Sequence, residues 1–439
     1  GVILLAVILL TCVAKGAFLS KRDKVALAAY RTIQDSTFGE MLLNADALLQ
    51  SNELTTQISA EGSFYGYNGK VNATTAQNRK KGELYMNADV DVADTISQEV
   101  YFSFDDSSIR FSMPDIDDQV FCYHYAKEND GAIASLVDRY TDGSIEDVNT
   151  ILECINNMYK QSGDYRKELK SAIRQAYKSV DVERIDSEEF EVNGKERRCK
   201  GYEMLITEEN LADFTEAVMD ATTRVYDNDA KELAYAVASL TGDKSIAQTY
   251  EKTEDGEEVA ELVSDEKDIS LEFYLYGGKL AAVRTTIDNE TVTVEFRGGD
   301  SRCSNVEVII RNKDAGTRNT FALESSRSGN REKGQFYVDN VSVASYSYDL
   351  KKGSYSVDLV GFSTDGLLLV TKKNLKFQSE LSGKNYAKLK VNIQNGARIP
   401  EIKGDPVDVG RIGQDEMERI STRFVRQIMN STGVMDYLF

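Results

Sequence analysis

Between Glu83 and Val92 apolar and polar side chains alternate without a break. Leu84, Met86, Ala88, Val90 and Val92 fall on one side of an extended chain, and Glu83, Tyr85, Asn87, Asp89 and Asp91 on the other. A period of two fits a β-strand, whose successive side chains point to opposite faces. One dry and one wet face is what an antiparallel sheet covered on a single side requires. The same period runs through Val100/Phe102/Phe104, Ile109/Phe111/Met113 and Phe121/Tyr123/Tyr125, with polar turns such as Asp105-Asp106-Ser107 between them. Residues 55–125 therefore predict a meander of about five strands.

The pattern returns in the second half of the chain. Gly277-Gly278 joins Leu271–Tyr276 to Leu280–Ile287, and Asn193-Gly194 turns a hairpin between Phe190 and Ile206. Both pairs tolerate the positive φ of a two-residue hairpin loop. Further strands are predicted over Thr291–Phe296, Val306–Arg311, Thr320–Glu324, Phe336–Tyr348, Tyr355–Phe362, Leu367–Leu375 and Tyr386–Ile393.

Helical spacing takes over elsewhere. Leu27, Tyr30, Phe38, Met41, Leu42, Ala45, Leu48 and Leu49 predict one amphipathic helix over residues 20–53. Val148, Ile151, Leu152 and Ile155, then Leu169, Ile173, Ala176 and Tyr177, stripe helices within 131–180. Thr207 caps a helix to Val225, and Met417, Ile420, Phe424 and Ile428 mark a closing helix in 411–439. The chain thus divides into residues 1–19, the helix 20–53, a meander with helices over 54–268, a second antiparallel region over 269–410, and the closing helix. Strands and helices segregate rather than alternate, so the predicted class is α+β with curved antiparallel sheets.

Residues 1–19 predict a membrane anchor. Val2 to Ala14 is apolar except for Thr11, and a spanning helix needs about 20 such residues. The chain opens on Gly1 rather than Met, so the span is expected to begin upstream. A lipoprotein signal around Leu9-Leu10-Thr11-Cys12, a cleaved secretory signal and a buried core helix are the competing readings. Lys15, Lys21, Arg22 and Lys24 follow the span, and basic flanks prefer the cytoplasm, but the Tyr-rich, strand-rich composition favours a body outside it.

Charge and motif content set limits on function. With 52 Lys+Arg against 72 Asp+Glu the net charge is −20, which argues against a nucleic-acid partner. The acid concentrates in residues 251–268, read as a solvated linker. A single His excludes multi-His metal centres. No phosphate-binding glycine loop, dinucleotide fingerprint or nucleophile elbow occurs, so no catalytic, cofactor or metal residues are assigned. Cys122 and His124 share a strand face, but residues two apart on a strand sit about 7 Å apart, beyond hydrogen-bond reach unless both lean together. The acids Asp115, Asp117 and Asp118 read as a polar turn, and Asp89 and Asp91 as a solvated strand face.

Tyrosine is the enriched residue, 23 in a chain without Trp. Its apolar ring and polar tip suit binding faces. Tyr65 with Tyr67, and Tyr274 with Tyr276, share strand faces and are the candidate ligand-facing aromatics. Four cysteines lie in the body, and Cys199 with Cys303, both near strand ends, is the candidate disulfide.

Two resemblances follow from these stretches. The order helix, meander, helices, further strands, with the pattern around Ile109-Arg-Phe-Ser-Met-Pro-Asp115, resembles the LolA/LppX-type lipoprotein carriers over about residues 20–210. That resemblance implies a curved sheet that wraps helices around an apolar groove. The amino-terminal run, Val192-Asn-Gly-Lys195 with Cys199 and Tyr202, and Tyr274-Leu-Tyr-Gly-Gly-Lys-Leu280 resemble membrane-anchored surface proteins of anaerobic Firmicutes. That resemblance implies an anchor and no defined activity. The functional expectation is a membrane-anchored, extracytoplasmic binding or scaffold protein without catalysis, holding an apolar, lipid-like or glycan ligand. A carboxylate-dependent glycan hydrolase and a sensory ectodomain acting through a partner are the alternatives.

Overall fold

The computed structural model describes residues 20–64, 67–92, 96–254, 268–381 and 386–431. The expected anchor over 1–19, Tyr65 and most of the acidic run lie outside them. Among the described residues no helix is long and apolar enough to cross a membrane.

Helix α1 (Lys21–Gln34) begins in a capping box: Asp23 N–H donates to Ser20 Oγ at 3.1 Å, and Ser20 N–H donates to the Asp23 carboxylate at 3.2 Å. The single helix expected over 20–53 is two, because α1 stops at Asp35 and α2 (Thr37–Leu49) restarts at once. Ser36 Oγ takes Gly39 N–H at 2.9 Å and caps α2. The turn is so tight that a Cβ on Gly39 would stand 1.9 Å from Ile33 O. The apolar spacing carries on across the break, so periodicity does not register it; Asp and Ser compete there for backbone groups.

The expected meander has six strands: β1 (Glu53–Phe64), β2 (Tyr67–Asn78), β3 (Glu83–Val92), β4 (Ile96–Phe104), β5 (Ile109–Met113) and β6 (Asp117–Tyr123). Helices α3 (Ala132–Tyr140) and α4 (Ile145–Ser179) follow. The hairpin β7 (Asp181–Glu191) and β8 (Glu196–Ile206) turns at Asn193-Gly194, with φ of 55° and 70°. Helices α5 (Glu208–Thr241) and α6 (Ser245–Glu254) come next. Then come β9 (Ile269–Tyr276), β10 (Lys279–Ile287), β11 (Glu290–Gly298), β12 (Asn305–Asn312) and β13 (Thr317–Ser328). They are followed by β14 (Arg331–Val338), β15 (Val341–Asp349), β16 (Ser354–Leu359), β17 (Phe362–Thr371), β18 (Asn374–Leu381) and β19 (Tyr386–Asn395). A short β20 (Asp405–Asp408) and α7 (Gln414–Ser431) complete the described chain. The class is α+β; among the described residues strand pairing is largely antiparallel, and β20 runs parallel to β6.

One strand predicted over Phe336–Tyr348 is the hairpin β14–β15. Asp339 and Asn340 both take left-handed backbone, φ 48° and 65°, and turn the chain between Val338 and Val341. Asp and Asn reach that region by bonding locally with their short side chains.

The described residues form two compact units interleaved in sequence: those within 20–46, 167–221 and 268–372, and those within 47–166, 222–254 and 373–431. In the first, β7 to β17 pair in sequence order as an antiparallel meander. Its core lies where Val25, Ala26, Ala28 and Ala29 of α1 meet Met204, Leu271, Phe273, Leu275 and Leu280. The alanines bring the helix close to the sheet. At the end of α1 a bulge in β10 between Leu280 and Ala282 releases Leu280 N–H, which donates to the buried Thr32 Oγ1 at 2.8 Å.

In the second unit the strand order is β18-β19-β1-β2-β3-β4-β5-β6-β20. Strand β3 corrects the expectation for its faces. Tyr85, on the side expected wet, is 6% exposed, whereas Met86 and Val92, on the side expected dry, are 38% and 41% exposed. Ala397, Ile399 and Ile402 cover the Tyr85 side with Tyr101, while helix residues Ile133, Val137, Val148 and Leu152 cover the other side near Leu84 and Phe104. Alternation separates two faces; it does not say which one a later segment will cover.

Candidate functional site

The candidate site lies in the first unit, where α2 begins against β12–β15. The registers place Val306 opposite Leu323 and Leu323 opposite Phe336; Val308 faces Phe321 and Phe321 faces Val338. Side chains level in register on antiparallel strands share a face. These residues therefore form one apolar wall, and Phe38 from α2 stands against it. The result is an open cavity of about 490 Å³. Phe38, Phe321 and Phe336 are each more than a third exposed and form an aromatic mouth. The Phe38 and Phe336 rings both meet Tyr346, at 5.9 and 5.8 Å between centroids.

One end of the cavity is polar. Glu332, 8% exposed, takes Thr37 Oγ1–H at 2.7 Å and Arg327 Nη2–H at 3.2 Å on one oxygen, and the Tyr346 hydroxyl at 2.8 Å on the other. Arg327 also donates to Thr37 Oγ1 at 2.7 Å. Burial first, then the hydrogen bond to Glu332, pushes the Tyr346 phenol well above its ordinary value. Tyr346 sits opposite Gly334, and its ring lies where a Cβ would stand 2.2 Å from Cε1. Glycine is what leaves room for the ring to reach the carboxylate.

Tyr274 and Tyr276, two of the sequence-predicted aromatics, do not line this cavity. Tyr65 lies outside the described residues, and Tyr67 opens β2. Tyr274, expected to face ligand, is 1% exposed. It packs on Phe190 at 4.8 Å, and its one hydroxyl hydrogen is shared between Glu188 and Glu272, 2.9 and 2.8 Å away. Residues Phe273 to Leu275 of β9 are buried on both faces, so Tyr274 is core rather than surface. Tyr276 is half-buried, with the Arg197 guanidinium 5.7 Å above its ring. Tyr346 shares a strand face with Tyr348, the same signal as the other tyrosine pairs, and Phe38 belongs to a helical stripe; Glu332 has no local signal, and only strand register and the packing of α2 bring the three together.

Cys199 and Cys303 are free thiols rather than the expected disulfide, and Cys122 and Cys154 are free as well. The Cys199 S–H donates to Arg197 O at 3.2 Å, and the Cys303 S–H, on the cavity wall, to Thr32 O at 3.4 Å. Burial pushes Cys303 up to about 11. Unfolded without reductant, the protein should therefore yield four titratable thiols from Cys122, Cys154, Cys199 and Cys303 in addition to Cys12. A count short by two would restore a disulfide. In the folded protein at pH 8 the same thiols should react slowly with Ellman's reagent, because the thiolate is the reactive form.

In the second unit Cys122 and His124 do lean together, Sγ to Nε2 at 3.3 Å, closer than the rise along a strand suggested. Burial raises the Cys122 thiol, which is opposite to what a nucleophile needs. Asp117 is committed to Arg423 of α7, 2.5 Å away, and Asp115 accepts Glu99 N–H at 2.7 Å. Asp89 accepts from Asn72 at 3.3 Å.

Comparison with known proteins adds little to this geometry. No family model matches the chain, and no curated protein matches it. Among solved structures the chain is similar to the crystal structure of MucB in complex with MucA(peri), at 9% identity, with 82% of this chain and 100% of that chain covered and a TM-score of 0.10. A superposition of that quality carries no weight for fold or function.

Proposed function

We propose that this is a ligand-binding protein without catalytic activity, and that the cavity between α2 and β12–β15 holds an apolar, lipid-like molecule. The observation that carries the reading is the cavity itself, about 490 Å³, walled largely by valine, leucine and phenylalanine, with Thr37, Glu332 and Tyr346 joined by hydrogen bonds on its polar side. Pockets of about 300–1,000 Å³ with mostly apolar lining and few placed polar groups are the form that small-molecule sites take. Half-exposed phenylalanines at its mouth give up water when a ligand covers them.

In this reading residues 1–19 hold the protein at a membrane with the body outside the cytoplasm, near the source of such ligands. The apolar run Val2 to Ala14 supports the membrane placement, and the Tyr-rich, strand-rich composition of the body is the ground for its side of the membrane, against the preference of the basic flank Lys15 to Lys24 for the cytoplasm.

The chain contains no Trp, so Phe321→Trp places a single indole in the cavity wall. Saturable change of its fluorescence with a ten-carbon amphiphile is the expected result. Val308→Trp, which fills the cavity instead, should abolish release of lipid-sized molecules seen by mass spectrometry of the denatured, purified protein. An indole that responds to no apolar molecule would defeat the proposal.

A further inference from the structure

The hydrogen atoms on the polar side chains around the cavity are almost all spent inside the protein. Ser36 Oγ–H donates to Ile33 O at 2.9 Å, and Ser325 Oγ–H to Ser304 O at 2.9 Å. The Cys303 S–H goes to Thr32 O at 3.4 Å. Thr37 and Tyr346 both donate to Glu332, at 2.7 and 2.8 Å. Tyr337 donates to Gln335 Oε1 at 2.5 Å, and Ser301 shares one hydrogen bond with Ser304. Ser301 apart, whose hydrogen bond with Ser304 can run in either direction, what these side chains present to the cavity is lone pairs, together with the carboxylate of Glu332. Arg327, the cation beside them, is not part of the lining and already directs Nη2 to Thr37 and Glu332.

A polar group that enters a dry site must find a complementary partner there, or it loses the hydrogen bond it had in water. A hydroxyl or an amine brings the donor that this wall lacks. A carboxylate or phosphate brings further lone pairs and a negative charge, and would meet acceptors and the Glu332 carboxylate, which Arg327 pairs on one oxygen. We infer that the cavity selects apolar molecules whose polar end donates a hydrogen bond, an alcohol or an amine, over molecules that end in an anion. This selection rests on the apolar-ligand reading above and assigns Glu332, with the hydroxyls that point to it, as the group that sets head-group specificity.

The test is a titration of the full chain carrying Phe321→Trp with 1-decanol, decylamine, decanoate and decane at pH 7, read by indole fluorescence. The alcohol and the amine should half-saturate at concentrations at least about tenfold below decanoate, the ratio that one well-made or one unmade buried hydrogen bond supplies. Decanol should also bind more tightly than decane. Decanoate binding as well as decanol, or decane binding as well as decanol, would overturn the selection and leave the apolar-ligand reading standing. No response to any of the four would overturn both. Glu332→Gln, which puts an amide donor into the polar end, should bring decanoate within about threefold of decanol. The four-ligand comparison on the chain with Glu332 intact decides the inference even if that variant does not fold.

Discussion

Phe273→Ala should lower the free energy of unfolding by about 3–5 kcal/mol, the range for removing a buried aromatic ring from a packed core. Phe273 is 1% exposed and lies midway along β9, between Leu271 and Leu275 on the face that α1 covers. Strand β9 is paired on both sides, with β8 and β10, so the sheet has little freedom to close on the space left behind. Small residues of α1, Ala26, Ala28 and Ala29, already bring the helix near the sheet and leave it no shorter side chain to settle on. Urea unfolding followed by near-ultraviolet circular dichroism of the tyrosines measures the loss. Val360→Ala, at an exposed turn position, serves as the reference and should change stability by less than about 0.5 kcal/mol. Equal losses for the two variants would contradict the placement of the core.

Arg284→Met should cost about 2–3 kcal/mol at pH 7, through a different mechanism. Arg284 makes a two-pronged pair with Glu188, Nη2 to Oε2 at 2.8 Å and Nη1 to Oε1 at 3.0 Å, and also reaches Glu272 at 3.1 Å. Its guanidinium lies 5.2 Å over the buried Tyr274 ring. Methionine keeps much of the apolar stem and removes the charge, leaving two carboxylates and a phenol facing one another. Breaking a fully buried pair costs about 3–5 kcal/mol, and the partial exposure of these groups brings the expectation down. The effect carries a pH signature. The hydrogen bond from Arg284 is the main cause that holds Glu188 below its ordinary value. A depressed carboxyl contributes stability that is complete above the unfolded pKa, about 4.3, and is lost as pH falls through the lower folded value. The cost of Arg284→Met should therefore be largest near neutrality and shrink below about pH 4. A cost that stays the same from pH 7 to pH 3 would show that packing, not the ion pair, accounts for it.

Particular residues show how far reading the chain goes. The strand over Glu83–Val92 matches its predicted ends, and Asn193-Gly194 and Gly277-Gly278 turn as their residue types require. These features depend on neighbours in sequence: side-chain alternation and the backbone freedom of Asn and Gly. The turn at Asp339-Asn340 rests on the same physics, but that pair is a weaker signal than Asn-Gly, and the pattern alone predicts one long strand where two form. The break at Asp35-Ser36 was hidden because apolar spacing continued on both sides of it.

The candidate site was out of reach for another reason. Thr37, Arg327, Glu332 and Tyr346 are spread over some three hundred residues, and no local pattern distinguishes Glu332 from the acids around it. Tyr274 and Tyr346 look alike as alternate tyrosines of two strands; one is sealed in the core and the other meets a cavity. The difference comes from whether a second layer covers that face of the sheet, which depends on contacts between distant segments. Local chemistry in this chain settles strand, helix and turn, because backbone geometry responds to a few adjacent residues. Which strand face is dry, where a carboxylate is buried and what it can bind follow from register and packing, and those exist only once the sheet has assembled.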